Sequence, residues 1–141
     1  MSQKNPSTWF ITGCATGFGR ELTRVVLARG YRVAVTDRDP QQVEDLVAGH
    51  EDRALALRLD VTDSAQVAEA VRRAEEHFGG IDVLVNTAGI GYFAAVEESD
   101  QKELHRMLDI NFFRLAKMTH AVLPGMRKRR HGCSGAFSRM G

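Results

Sequence analysis

The 141-residue sequence is poor in cysteine: it has two, Cys14 and Cys133, far apart in the chain. Two isolated thiols make neither a disulfide framework nor a metal-ligand cluster, and a reduced, cytoplasmic setting is the expectation. The five histidines, His50, His77, His105, His120 and His131, are scattered at no metal-ligand spacing. No metal site is expected from them, and solvated or hydrogen-bonded imidazoles are the simpler reading. Charge of one sign is also lacking, since 19 Lys+Arg against 18 Asp+Glu leave a net charge of +1. That balance gives no reason to expect nucleic acid or a polyanionic surface as partner. The cationic "RKRR" at 127–130 fits a solvated helix end that favours the dipole. No apolar run approaches the roughly 20 residues of a membrane-spanning helix, so no membrane partner is expected. The polar start, "MSQKNPSTW", does not have a signal-peptide pattern. Tyrosine is scarce too: Tyr31 and Tyr92 are the two present.

What is present is alternation. Apolar strand-like runs at 8–12, 31–37, 54–60 and 81–89 are separated by helical patterns at 18–29, 41–49 and 63–79, and a mostly helical stretch covers 99–130. In the first helix Leu22, Val25, Val26 and Arg29 fall at helical spacing, with Gly30 as a stop. Pro40 is placed to start the second helix. Asp63 or Ser64 is a cap for the third. The long stretch is expected to be disturbed at Pro124–Gly125. Its Phe112, Leu115, Met118, Thr119, Val122 stripe reads as core. Strands alternating with helices imply an α/β fold with a parallel sheet, right-handed crossovers and both faces covered.

The segment "FITGCATGFGRELT" (10–23) places Gly13, Gly17 and Gly19 between the first strand and its helix. A strand, a glycine-rich turn and a helix N-terminus together favour an anion, because backbone N–H groups and the helix dipole converge there. Glycine permits positive φ and lets a pyrophosphate approach closer than a Cβ would allow. A plain turn that binds nothing is the alternative. Cys14, inside the turn, is either a thiol with its pKa lowered by the helix or a small filler, and the filler is the simpler role.

Three further strand ends bear on the choice, since open α/β sheets bind ligands at the carboxyl ends of their strands. Asp37 ends the second strand near the ~20-residue offset of a ribose-binding acid. Its carboxylate could accept both ribose hydroxyls and would repel a 2′-phosphate. It could equally cap a helix, as could Asp39. Asp60 ends the third strand and is either a partner for an adenine amino group or a cap for the next helix. Asn86 to Gly89 ends the fourth, where Ala88 and Gly89 leave room for a ligand beside the glycine turn or simply close the strand.

Together these residues resemble the short-chain dehydrogenase/reductase family. "TGCATGFG" (12–19) is similar to its T-G-x-x-x-G-x-G cofactor loop, "LDVTD" (59–63) to its adenine-contacting segment, and "NTAG" (86–89) to its N-N-A-G motif with Thr87 replacing the second asparagine. "NFF" (111–113) resembles the segment bearing the family's catalytic asparagine. The resemblance covers about residues 8–130. It implies a Rossmann-like doubly wound parallel sheet in a single NAD(P)-binding domain over 1–141, incomplete at its C-terminus after about the fourth or fifth strand. It implies hydride transfer between an alcohol or carbonyl substrate and a nicotinamide, with NAD preferred over NADP because of Asp37. Arg38 softens that preference by offering a charge to a 2′-phosphate. Cofactor-binding roles pass to Gly13, Gly17, Phe18, Gly19, Asp37, Arg38, Asp60, Val61, Asn86, Ala88 and Gly89, and a supporting proton-relay role passes to Asn111. A homo-oligomer is expected, as helices of the 99–130 region form dimer interfaces in the family.

The sequence departs from the family in its catalytic pair. The family's Tyr-x-x-x-Lys does not occur: the fourth residue after Tyr31 is Val35 and after Tyr92 is Val96. A fifth strand is expected near 134–136, where the chain reads Ser134, Gly135, Ala136, and the position of the family's serine falls near Ser138 or Arg139. The tail thus reads as the truncated or frame-altered end of a longer protein. A dinucleotide-binding fragment or regulator without chemistry is the competing function. A Rossmann-like methyltransferase is a weaker third, since it would not call for "NTAG" and "NFF".

Overall fold

A computed structural model describes residues 6–87, residues 116–128 and the backbone of residues 133–134. Strand β1 (Thr8–Thr12) leads through the glycine turn into helix α1 (Gly17–Ala28), and β2 (Arg32–Asp37) follows. A 3-10 turn (Pro40–Val43) and the short α2 (Glu44–Val47) precede β3 (Ala54–Arg58). Helix α3 (Ser64–Phe78) returns to β4 (Val83–Asn86); α4 spans 116–128, and β5 is the pair Cys133–Ser134.

The strands form one sheet in the order β3-β2-β1-β4-β5, all parallel. The order reverses between β2 and β4 on either side of β1, the arrangement that opens a crevice at the carboxyl end of β1. Among the described residues the fifth strand pairs Val83 with Cys133 and Leu84 with Ser134.

Period-two alternation sends side chains to two cores. Phe10, Ala34, Leu57 and Leu84 face α3 and α4, joining Val67, Ala70, Val71, Ala74 and Phe78 and then Met118, Val122 and Met126. Ile11, Val33, Val35 and Val85 face the other way, onto Val26 and Leu27 of α1 and Val43 and Leu46 beyond β2. Parallel strands covered on both faces are a doubly wound α/β sheet.

Several expectations shift in detail. Val25 is 48% exposed, and α1 buries Gly19, Thr23, Val26 and Leu27 instead. The second helical pattern resolves into the 3-10 turn and one α-helical turn. Helix α4 runs unbroken through Pro124 and Gly125. Pro124 lies on its exposed side, and the Met118–Val122–Met126 stripe holds the helix to the core. One missing amide at a solvated position does not outweigh that packing.

Candidate functional site

The glycine turn is built from two left-handed residues. Gly13 has φ 66° and Gly17 has φ 62°. Between them the chain rises from β1 and enters α1 at Gly17, with extended Thr16 as N-cap. Thr16 makes no side-chain cap hydrogen bond, and the first turn of α1 carries no acid. Nothing lies within 4 Å of where a Gly17 Cβ would project. Among the described residues, the positive end of the α1 dipole thus has no side-chain cap and the space at Gly17 is open, which suits an oxyanion.

Gly19 serves a different purpose. It is buried, and a Cβ there would run into the Gly13 carbonyl oxygen and lie 2.6 Å from Thr87 Oγ1. The missing side chain lets the first turn of α1 pack directly on the loop that precedes it.

The loop is pinned from both neighbouring strands. From β4, Thr12 Oγ1 donates to Asn86 Oδ1 at 2.9 Å, and Thr87 N donates to Thr12 Oγ1 at 3.0 Å. Thr87 Oγ1 donates to the Thr12 carbonyl and reaches the Gly13 carbonyl at 3.4 Å. From β2, the Thr36 carbonyl accepts from Cys14 N at 3.0 Å, and Thr36 Oγ1 donates to the Ile11 carbonyl at 2.8 Å. Cys14 is fully buried, and its thiol donates to the Ile11 carbonyl. Burial pushes its pKa up to about 12, against the opposing effect of hydrogen bonds with Thr23 and Thr36. The thiol is therefore a filler and not an activated nucleophile.

The acids separate cleanly. Asp39 is the cap of the 3-10 turn, accepting from Gln41 N at 3.1 Å. Asp37 instead points toward the glycine loop: its carboxylate accepts from Ala15 N at 3.4 Å and from Asp39 N at 3.1 Å. At the next strand end Asp63 caps α3 through Ala65 N and Gln66 N. Asp60 accepts from Thr62 N at 2.9 Å and from Thr62 Oγ1 at 2.6 Å, shaping the loop where buried Val61 enters the core. Neither Asp37 nor Asp60 is a helix cap.

Gly13, Gly17, Gly19, Asp37 and Asn86 thus gather at the carboxyl ends of β1, β2 and β4. Phe18 is half-buried on α1, and Arg38 is exposed beside Asp37. Asn86 is 4% exposed and engaged with Thr12, which makes it a brace for the loop. Ala88, Gly89, Tyr92, Asn111, Ser138 and Arg139 lie outside the described residues. A cavity of about 370 Å³ lined by Leu55, Arg72, Arg73, Glu76 and His77 lies by the C-terminal half of α3 and takes no part in this cluster. Among the described residues no group of His, Cys, Asp and Glu could hold a metal ion, and no helix is long and apolar enough to cross a membrane.

Sequence reasoning passed over Thr12, Thr36 and Arg20 as functional positions. Thr12 carried a signal as the threonine that opens "TGCATGFG", and the β1–β4 register sets it beside Asn86. Arg20 donates to the Ala15 carbonyl, to the Gln42 carbonyl and to Asp45, and no local pattern announces contacts of that range.

The segment that carries this cluster is also similar to known proteins. The sequence model described as short chain dehydrogenase matches residues 7–133. The oxidoreductase BOA17 of Botryotinia fuckeliana is 38% identical over 125 residues, which are 88% of this chain and 46% of that protein. A 3-ketodihydrosphingosine reductase of Bacteroides thetaiotaomicron is 35% identical over 127 residues, 90% of this chain and 45% of that one. Among solved structures, a short-chain dehydrogenase from Streptomyces avermitilis superposes with a TM-score of 0.77 at 33% identity, covering 95% of this chain and 49% of its own. The chain spans about half the length of the relatives it matches. With the matched segment running from the first strand through the fourth and into the fifth, the chain belongs to the short chain dehydrogenase family of oxidoreductases.

Proposed function

We propose that residues 1–141 form the dinucleotide-binding unit of an NAD(P)-dependent oxidoreductase that moves a hydride between an alcohol or carbonyl substrate and a nicotinamide, with NAD preferred over NADP. The observation that carries this reading is the Asp37 carboxylate set against the Ala15 amide, beside the uncapped N-terminus of α1. An anion-favouring helix end next to a carboxylate is the donor and acceptor set that a pyrophosphate linked to a ribose requires. The bound cofactor would supply the hydride acceptor or donor. Amides of the Gly13–Gly19 turn would hold the pyrophosphate, Asp37 would accept from the ribose hydroxyls, and Asp60 with Val61 would flank the adenine. Ala88 and Gly89 would leave room beside the turn, and Asn111 would support a proton relay. A small-molecule substrate, a cytoplasmic setting and self-association are part of the same reading.

The proton transfer that accompanies hydride transfer typically contributes about 10²–10⁴-fold in rate when a positioned acid/base performs it. The family's Tyr-x-x-x-Lys pair does not occur in these residues. The 141-residue polypeptide is therefore expected to bind dinucleotide without turning over substrate.

Calorimetric titration of the polypeptide with NAD and with NADP tests the reading. NAD should bind more tightly by about tenfold, the size of a partly screened like-charge contact between Asp37 and a 2′-phosphate. Asp37→Ala should narrow that gap. Tighter binding of NADP by the parent chain would remove the cofactor assignment, and binding of neither dinucleotide would remove the reading as a whole.

A further inference from the structure

The backbone of Ala15 is held on both sides of its Cα. Its N–H donates to Asp37 Oδ1 at 3.4 Å, and its carbonyl accepts from Arg20 Nη1 at 3.3 Å. The same Arg20 nitrogen lies 3.3 Å from the Gln42 carbonyl, and the other terminal nitrogen pairs with the Asp45 carboxylate. One guanidinium thus bridges the glycine turn and the segment that follows Asp37. We propose that Arg20, seated by Asp45, is a positioning residue that fixes the Ala15 carbonyl, restrains the backbone of the turn on either side of the Ala15 Cα, and so sets the angle at which Asp37 meets the ribose of the dinucleotide, making the pair a determinant of NAD over NADP discrimination. This inference rests on the dinucleotide reading of the turn.

The physical case starts from the fork geometry of arginine. Its planar donors reach several acceptors in fixed directions, whereas the lysine ammonium is a compact point charge. The side chain of Arg20 is 22% exposed and that of Asp45 is 56% exposed. An ion pair so wetted contributes little to global stability. Its consequence is local: it anchors the Ala15–Thr16 peptide, whose neighbour across the Ala15 Cα carries the N–H that meets Asp37. With Arg20 in place, the Ala15 N–H faces the Asp37 carboxylate and holds it at the loop. Without it, the Ala15 torsions are less restrained, and the N–H that orients the Asp37 carboxylate loses its fixed direction. Arg24 lies 4.0 Å from the same Asp45 oxygen but, among the described residues, bridges no second segment, which makes it the internal control.

The experiment is a titration of the 141-residue polypeptide and its Arg20→Lys, Asp45→Asn and Arg24→Lys variants with NAD and with NADP, with thermal unfolding run in parallel. Arg20→Lys keeps the charge, so any change in discrimination comes from geometry. It should weaken NAD binding by about five- to tenfold, the size of one net hydrogen bond, and should lower the NAD-to-NADP affinity ratio. Asp45→Asn should act in the same direction, and Arg24→Lys should leave the ratio as in the parent. All unfolding midpoints should stay close to that of the parent. An unchanged ratio in Arg20→Lys, with the parent binding NAD, overturns the positioning role and leaves the dinucleotide reading intact. Equal losses for both dinucleotides with a lowered midpoint also overturn it, because they mark a purely structural contact. A parent chain that binds neither dinucleotide overturns both.

Discussion

Replacing Gly19 with alanine separates two opposed effects whose sizes can be compared. Gly19 lies in the first turn of α1, where alanine favours the helix over glycine by about 1 kcal/mol. Against this, the added Cβ meets the Gly13 carbonyl oxygen, with the Gly13 carbonyl carbon at 3.0 Å and Thr87 Oγ1 at 2.6 Å. The main obstruction is backbone, so no rotamer change relieves it, and α1 must move off the loop. Overpacking of this kind costs typically 1–3 kcal/mol, and a backbone obstacle places the site near the upper end, about 3 kcal/mol. The net expectation is a loss of about 2 kcal/mol, measured by urea unfolding of parent and variant. Thr87→Ala combined with Gly19→Ala should not restore stability, because the carbonyl remains. Gly17→Ala is the counterpart: its Cβ would meet nothing within 4 Å, but φ 62° is costly for an L side chain. It should cost roughly 1–2 kcal/mol through backbone conformation alone. A Gly19→Ala variant as stable as the parent, or more so, would refute the close-packing argument and leave only helix propensity.

Two other outcomes follow from single residues. Asp63→Ala removes the acceptor for Ala65 N and Gln66 N at the start of α3 and should lower stability by about 1 kcal/mol, read from the same unfolding curves. Cys14 gives a signed pH dependence. Its folded pKa is raised from 9.0 to about 12, so above about pH 9 the unfolded chain releases a proton that the folded chain keeps. Its contribution is complete below pH 9 and is lost as pH rises toward 12, by up to about 1.4 kcal/mol per pH unit relative to Cys14→Ala. Parallel stability curves for the two proteins over that range would refute the burial argument.

The architecture was legible because its signals are local and periodic. Alternating apolar positions in "RVAVTD" and the spacing in "SAQVAEAVRRAEEHF" dictate a strand and a helix wherever they occur, and both lie where the pattern placed them. Helix α1 misled in part because Thr23 is polar yet buried. Its hydroxyl donates to the Gly19 carbonyl at 2.7 Å, so it turns inward where a hydropathy pattern puts Val25. Among the site residues, glycines and acids at strand ends are marked by residue type. The choice between Asp37 and Asp39, or between Asp60 and Asp63, was not so marked. Two carboxylates two or three residues apart have the same local capacity to cap, and only the direction of each side chain in the folded chain divides the work. The bridge from Arg20 to Asp45 was hidden for a related reason: it joins residues 25 apart that become neighbours only when β2 pairs with β1.

The bond between Thr12 and Asn86 joins positions 74 residues apart, and it is among those that hold the glycine turn in shape. This separation sets a clock on the ribosome. At synthesis rates of about 5–20 residues per second, the stretch from the turn to its β4 partner takes about 4–15 s to be made. Throughout that interval the β1 end has emerged without the strand that completes it. Strand β2 is synthesised well before β4, so the loop's bonds to the fourth strand can close only after that strand has been made. Completion of the turn's hydrogen bonds is thus a late event in the life of the nascent chain, timed by topology and not by the loop's own sequence.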